Sequence, residues 1–318
     1  ALKEKGKFDV ALKFLRKASE IQRKLVPTSS DLITTLLRSS QVLISSSEQA
    51  TNKEQQLMMA KSYAEEALEI AKRVADGRCP LINDCFLALS GIDLARGEVT
   101  ESFQKREKAL QVLKDQNLRT IHTVNLLESL AECYGEVGQF QKGIHFAKEA
   151  LEIREELDCP QEDLWKAYYC LGSYGWVLSH DPPQILDNLI KCLKYFKMKN
   201  VANYPLEANI LALSCDCRSK MNQSREEIFP EADRAIELFA KFDNKNSNSH
   251  LPYLAKADVF LREKNITEAE PLLEKVKDFF EGEDGKENKN SVAGFFYLNY
   301  QLQVCRAKNN VEDSMKYQ

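Results

Sequence analysis

"AECYGEVGQFQKGIHFAKEALEIREEL", residues 131–157, holds two apolar-periodic runs on either side of Gly138-Gln139-Phe140. Apolar residues recur three or four places apart in each run, which is helix spacing. Glycine adopts the left-handed backbone that ends a helix and lets the chain reverse, and the Phe two places on can anchor the next helix. Gly143, Ala147 and Ala150 fall on one side of the second run. Their lack of bulk lets two helix backbones approach closely. The stretch predicts a hairpin of two tightly packed helices.

The second half of this hairpin recurs along the chain. "AKSYAEEALEI" carries Ala60, Ala64, Ala67, Leu68 and Ile70, and "SFQKREKALQV" carries Ser102, Arg106, Ala109, Leu110 and Val112. "ILDNLIKCLKY" gives Ile185, Leu189, Cys192, Leu193 and Tyr195, and "IFPEADRAIEL" gives Ile228, Ala232, Ala235, Ile236 and Leu238. An N-terminal copy reads Ala11, Leu15, Ala18 and Ile21, and a late one Ala269, Leu273, Val276 and Phe279. With the residue at the Ala150 place as the ruler, the copies fall at 18, 67, 109, 150, 192, 235 and 276. Successive differences are 49, 42, 41, 42, 43 and 41, so the chain is an array with a period of about 42 residues. Each unit reads as two helices, with reversals expected at Gly97, Gly138 and Asn265.

The array resembles the tetratricopeptide repeat. The first-helix pattern of that family, an aromatic or Leu, then Leu with a small residue, then Tyr, stands here as Leu127, Leu130-Ala131 and Tyr134. It recurs as Tyr168 and Leu171-Gly172, and more loosely as Phe86 and Leu89-Ser90. The period exceeds the usual one of about 34 residues. "KEALEIREEL" (148–157) and "EEALEIAKRV" (65–74) are similar to the longer-helix subtype of kinesin light chains. The closing Pro is present only as Pro80 and Pro160. The resemblance implies an all-α, right-handed superhelical solenoid of about seven antiparallel helix pairs. Units are expected at 1–26, 30–76, 81–117, 119–158, 162–199, 204–243 and 250–281, with a partial unit at 291–318, in one array spanning 1–318. Three polar stretches, 44–56, 243–250 and 281–290, are expected as exposed connectors. The chain lacks an initiator Met and starts partway through the pattern, so a segment of a longer protein is expected.

Composition narrows the function. Of 318 residues, 43% are hydrophobic and 29% charged, enough for a packed core. A net charge of −4 offers no electrostatic reason to bind nucleic acid, which needs clustered Lys and Arg. No apolar run approaches the roughly 20 residues of a membrane span. The nine cysteines show no repeated spacing and read as small buried hydrophobes of a reducing compartment. His122, His145, His180 and His250 are isolated from one another, and Cys215 and Cys217 lie two apart, where helical side chains diverge. No nucleophile elbow or phosphate-cradling Gly loop occurs. No enzyme, metal, cofactor or small-molecule substrate is expected.

In such arrays the first helices line the concave face, where partners sit. The Lys/Asn/Arg clamp by which one tetratricopeptide subclass grips chaperone carboxylates is absent. The corresponding places hold Asn125, Glu128 and Glu132 in one unit, Tyr169, Ser173 and Trp176 in the next, and Leu211, Cys215 and Arg218 after that. Asn125, Glu128, Glu132, Tyr169, Trp176 and Arg218 are therefore the candidate partner-binding residues. An acidic patch beside an apolar, aromatic stretch suits a protein segment with apolar anchors and some positive charge. Glu128 and Glu132 are expected to be largely exposed. For Trp176 two readings stand: it fills space left by Gly172 and Gly175, or it contacts a partner. The expected function is a protein–protein interaction scaffold inside the cell, in the cytoplasm or alternatively the nucleus. A regulatory or targeting domain of a larger protein is the second reading.

Overall fold

A computed structural model describes residues 8–47, 52–74, 81–200, 203–242, 246–281 and 292–308. Among these residues every regular element is helical. Single helices α1 (Phe8–Leu25) and α15 (Val292–Ala307) flank a series of hairpins. The hairpins are α2 (Ser30–Ser47) with α3 (Lys53–Arg73), α4 (Leu81–Arg96) with α5 (Val99–Asp115), and α6 (Ile121–Glu136) with α7 (Phe140–Glu156). They continue as α8 (Trp165–Val177) with α9 (Pro182–Met198), α10 (Tyr204–Lys220) with α11 (Arg225–Phe242), and α12 (Leu251–Arg262) with α13 (Ile266–Lys275). The short α14 (Lys277–Glu281) follows α13, and a 3-10 turn at Gln161–Leu164 leads into α8.

Residues 1–137 with 152–157 form one compact unit, and 138–151 with 158–318 a second. In the first unit α2 packs on α3, α4 on α5, and α2 also meets α4, the first helix of the next pair. In the second, α8 packs on α9, α10 on α11 and α12 on α13, while α8, α10, α12 and α15 contact one another in succession. This is repeat stacking, in which each hairpin buries its apolar face only against its neighbours.

The ruler positions explain the close packing. Ala67, Ala109, Ala150, Cys192 and Ala235 have no exposed surface, and Val276 is buried at the end of α13. Ala18, on the terminal α1, is only half-buried. The first-helix pattern is core as well: Leu127, Leu130, Ala131 and Tyr134 are all buried. At Gly172 a Cβ would stand 2.7 Å from Leu189 Cδ2 on α9, so α8 and α9 meet there at a distance only glycine allows.

Helix ends follow one recipe. Gly97 and Gly138 take positive φ, 83° and 75°, as expected of reversal glycines. Beyond Gly97 the Glu98 amide reaches back five residues to the Asp93 carbonyl at 2.8 Å. Asn117, Ser179, Asn222 and Lys264 make the same left-handed exit without glycine, each followed by the same bond to the carbonyl five residues back. The reversal expected at Asn265 therefore sits one residue earlier, at Lys264. Asn265 instead caps α13, its side chain accepting from the Glu268 amide at 3.4 Å.

The first connector is shorter than expected. α2 runs through Ser47 and α3 begins at Lys53, so only part of 44–56 is loop, and 48–51 lie outside the described residues. Within the helical serine run, Ser46 and Ser47 donate back to the carbonyls of Leu43 and Ile44, at 3.0 and 2.7 Å, which satisfies their hydroxyls without an outside partner. Pro80, residues 243–245 and 282–290 likewise lie outside the described residues. The end of the second connector is not exposed: His250 is buried, stacked on Phe279 with ring centroids 4.3 Å apart.

Candidate functional site

The first helices of the second unit bring a run of aromatic and charged side chains together. Trp176, at the end of α8, donates from Nε1 to Asp216 Oδ2 on α10 at 2.6 Å. Lys220, one turn along α10, pairs with the same oxygen at 2.6 Å. Its ammonium lies 5.4 Å from the centre of the Trp176 ring and 6.0 Å from that of Phe296 on α15. Ser219 donates to Asp258 Oδ2 on α12 at 2.8 Å, and Arg262 holds that oxygen at 3.0 Å. The Tyr300 hydroxyl is kept protonated by burial and by the neighbouring Asp258.

These residues border two adjoining cavities. One, of about 200 Å³, is lined by Asp216, Lys220, Asp258, Phe296 and Tyr300 among others. The other, of about 220 Å³, is lined by Trp176, Asp216, Lys220, His250, Phe279 and Phe296. Asp216, Lys220, Ala293 and Phe296 belong to both, so the two form one groove crossing α8, α10 and α15. His250, buried and stacked on Phe279, also lines it. Burial pulls its pKa down to about 4, opposed by the smaller effect of the Ser247 backbone.

Of the residues expected to bind a partner, only Trp176 lines this groove. The half-buried ring packs against the core of the second unit and borders the cavity, whereas the space beside Gly172 and Gly175 is taken by Leu189, His180 and Ile185. Tyr169 is half-buried and its hydroxyl accepts from Asn209 Nδ2 at 2.8 Å, while Asn209 Oδ1 accepts from Asn248 at 2.6 Å. Arg218 turns away toward α11, where Glu231 holds its guanidinium at 3.0 and 3.1 Å. In the first unit Asn125 and Glu132 are exposed. Glu128 is not: both its oxygens accept from Arg154, at 2.7 and 3.1 Å, and each residue is 6% exposed. The expectation of an exposed Glu128 is overturned, because a buried arginine of α7 requires that carboxylate.

Sequence reasoning missed Asp216, Lys220, Asp258, Phe296, Tyr300 and His250. One signal was available: Glu132, Tyr174, Asp216, Asp258 and Tyr300 stand 42 residues apart in succession. Asp216–Lys220 and Asp258–Arg262 repeat one acid–base pair at equivalent places, each pair four residues apart. No group of three His, Cys, Asp or Glu side chains able to hold a metal occurs among the described residues. The eight described cysteines are unbridged, and burial pushes the Cys217 thiol up to about 12. No described helix is long and apolar enough to cross a membrane.

No family model matches the chain, and no curated protein matches it either. Solved structures do. BtubC (BKLC) from P. vanneervenii superposes with a TM-score of 0.59 at 16% identity, over 76% of this chain and 94% of that one. The apo form of RapI gives 0.54 at 16% identity, over 84% and 89%. A signal-transduction ATPase with a tetratricopeptide repeat sensor from Pyrococcus horikoshii gives 0.50 at 14% identity, over 91% of this chain and 45% of that protein. The chain has the tetratricopeptide-repeat fold. At such identities the likeness carries the architecture alone. In tetratricopeptide terms, the groove lies on the first-helix side of three repeats and of α15.

Proposed function

We propose that the chain is a non-enzymatic interaction scaffold that seats a partner protein along the first helices of its second unit. The single observation behind this reading is the continuous groove, in which rings of Trp176, Phe279 and Phe296 border two carboxylates. Aromatic walls accept apolar anchors, and Asp216 and Asp258 favour positive charge between those anchors. The partner is therefore a peptide or helical segment with apolar side chains and a few Lys or Arg. Asn125 and Glu132, exposed on α6, are proposed as a second contact set. The scaffold works inside the cell, in the cytoplasm or nucleus, as part of a larger assembly.

The test couples capture to substitution. Partners recovered on the purified chain are identified, and their binding is titrated against Trp176→Ala/Phe296→Ala and, as control, Lys148→Ala on the exposed side of α7. At least a tenfold loss with the double variant, and none with the control, supports the groove. Equal affinity for both variants overturns it.

A further inference from the structure

Asp216 and Asp258 supply the acid of the groove, yet each already has a base four residues on, Lys220 and Arg262. These four side chains together carry no net charge to offer an incoming cation. The two bases stand at equivalent places in successive repeats and are held differently. Arg262 bridges Asp258 Oδ2 at 3.0 Å and the Gln223 carbonyl at 3.1 Å, and it lines neither of the two cavities. Lys220 lines both, so its side chain stands where they meet.

The Lys220 ammonium marks a seat built for a cation. Asp216 Oδ2 lies 2.6 Å from it, and the ring centres of Trp176 and Phe296 lie at 5.4 and 6.0 Å. A carboxylate and two aromatic rings around one point attract an alkylammonium by charge and by the ring quadrupoles. Trp176 Nε1 donates to the same Oδ2, so both contacts fall on one oxygen. That arrangement suits the point charge of an ammonium better than a guanidinium, whose planar fork takes two oxygens at once. The seat draws on three helices, α8, α10 and α15, whereas its present occupant belongs to α10. A pair four residues apart on one helix, with the lysine exposed, is a weak tether. A second ammonium can replace Lys220 there while Lys220 turns out to water.

We propose, on the reading that a partner sits in this groove, that Asp216, Trp176 and Phe296 form a subsite for a lysine side chain of that partner, which Lys220 fills in the free protein as an internal competitor. The partner's lysine takes the place of the Lys220 ammonium, and the apolar side chains that flank it fill the cavities on either side. Exchange of one ammonium for another leaves Asp216 paired throughout, so no charge is stranded between the rings. Affinity for a basic partner is thereby held down by Lys220 itself.

The probe is n-butylammonium, which copies the end of a lysine side chain. It is titrated into the isotope-labelled full chain while the Trp176 indole N–H resonance is followed, with Trp165→Phe to tell the two tryptophans apart. Lys220→Ala empties the seat, and a site freed of an internal competitor gains apparent affinity by the inverse of the fraction that was open, here about fivefold or more. Uncharged n-butanol should gain nothing, and n-butylguanidinium less than the ammonium. Asp216→Asn, which can still accept from Trp176, should abolish the gain when combined with Lys220→Ala, and circular dichroism checks that each variant folds. Equal affinity for the parent and Lys220→Ala overturns the proposal. A gain shared by n-butanol overturns it as well, because the place would then be an apolar hole. Captured partners separate this from failure of the groove itself. Partners that lose affinity for Trp176→Ala/Phe296→Ala but bind Lys220→Ala no more tightly than the parent leave the groove standing and remove the lysine subsite. Partners indifferent to the ring variant remove both.

Discussion

Glu128 on α6 and Asp216 on α10 are both carboxylates on first helices, each paired with a base, and they end in opposite circumstances. Glu128 uses both oxygens on Arg154, and the pair is sealed between α6 and α7. Asp216 uses one oxygen on both Trp176 and Lys220 and borders an open groove, with the Lys220 side chain 29% exposed. The difference follows from the column each residue occupies in the repeat. Cys170, Ala212 and Leu254 stand at the Glu128 place in later units, and all are buried. Asp258 and Tyr300 stand at the Asp216 place and line the cavity. For these two carboxylates the place within the unit, and not the residue type, separates the charge that serves the fold from the one that borders the groove.

The sharpest break of this comparison is Glu128→Ala. It strands the Arg154 guanidinium in the core, and losing one partner of a buried pair costs about 3–5 kcal/mol. Urea unfolding followed by circular dichroism should show a midpoint lowered accordingly. Glu128→Leu/Arg154→Met, which removes both charges, should restore most of the loss, because two well-packed apolar side chains carry no desolvation penalty. A single variant that loses less than about 1 kcal/mol would mean the pair is solvated like an ordinary surface bridge.

The hairpin order and crossings were legible because packing fixes them through residue size. A close helix crossing favours small residues, so Ala67, Ala109, Ala150 and Cys192 announce it at a fixed period. Helix ends were less legible: glycine marked two of the left-handed exits, but Asn117, Ser179, Asn222 and Lys264 perform the same turn. The site was the least legible part. Glu128 looked like surface because an acid usually is, and only its column of Cys170, Ala212 and Leu254 betrayed it. Phe296 and His250 join the groove through packing of α15 and of the turn before α12, which no period within a single helix records.

His250 sharpens the contrast as a buried titratable ring stacked on Phe279, its burial only partly offset by the Ser247 backbone. Its folded-state pKa of about 4 lies below the usual value of 6.5, so the unfolded chain takes up the proton first. Stability from the neutral imidazole is complete above pH 6.5 and falls as pH drops toward 4. At pH 5 the loss is about 2 kcal/mol, at roughly 1.4 kcal/mol per pH unit. Thermal melts at pH 7 and pH 5 should differ less in His250→Phe, which keeps a ring against Phe279 but cannot titrate. An equal pH sensitivity in both proteins would place the titration elsewhere.

The smallest effect is expected at Lys220, and its smallness is what the comparison requires. Lys220→Met keeps the aliphatic stem over Trp176 and removes only the ammonium. Asp216 then remains charged, but Trp176 Nε1 still donates to it and the groove admits water, so no buried ion is abandoned. Helical pairs four residues apart are worth about 0.3–0.5 kcal/mol when exposed, and salt screens them. The variant should melt within a degree or two of the parent, and high salt should narrow that gap. A loss near that of Glu128→Ala, unmoved by salt, would show that Asp216 and Lys220 hold the fold together in the way Glu128 and Arg154 do. The groove would then have no charge to offer a partner.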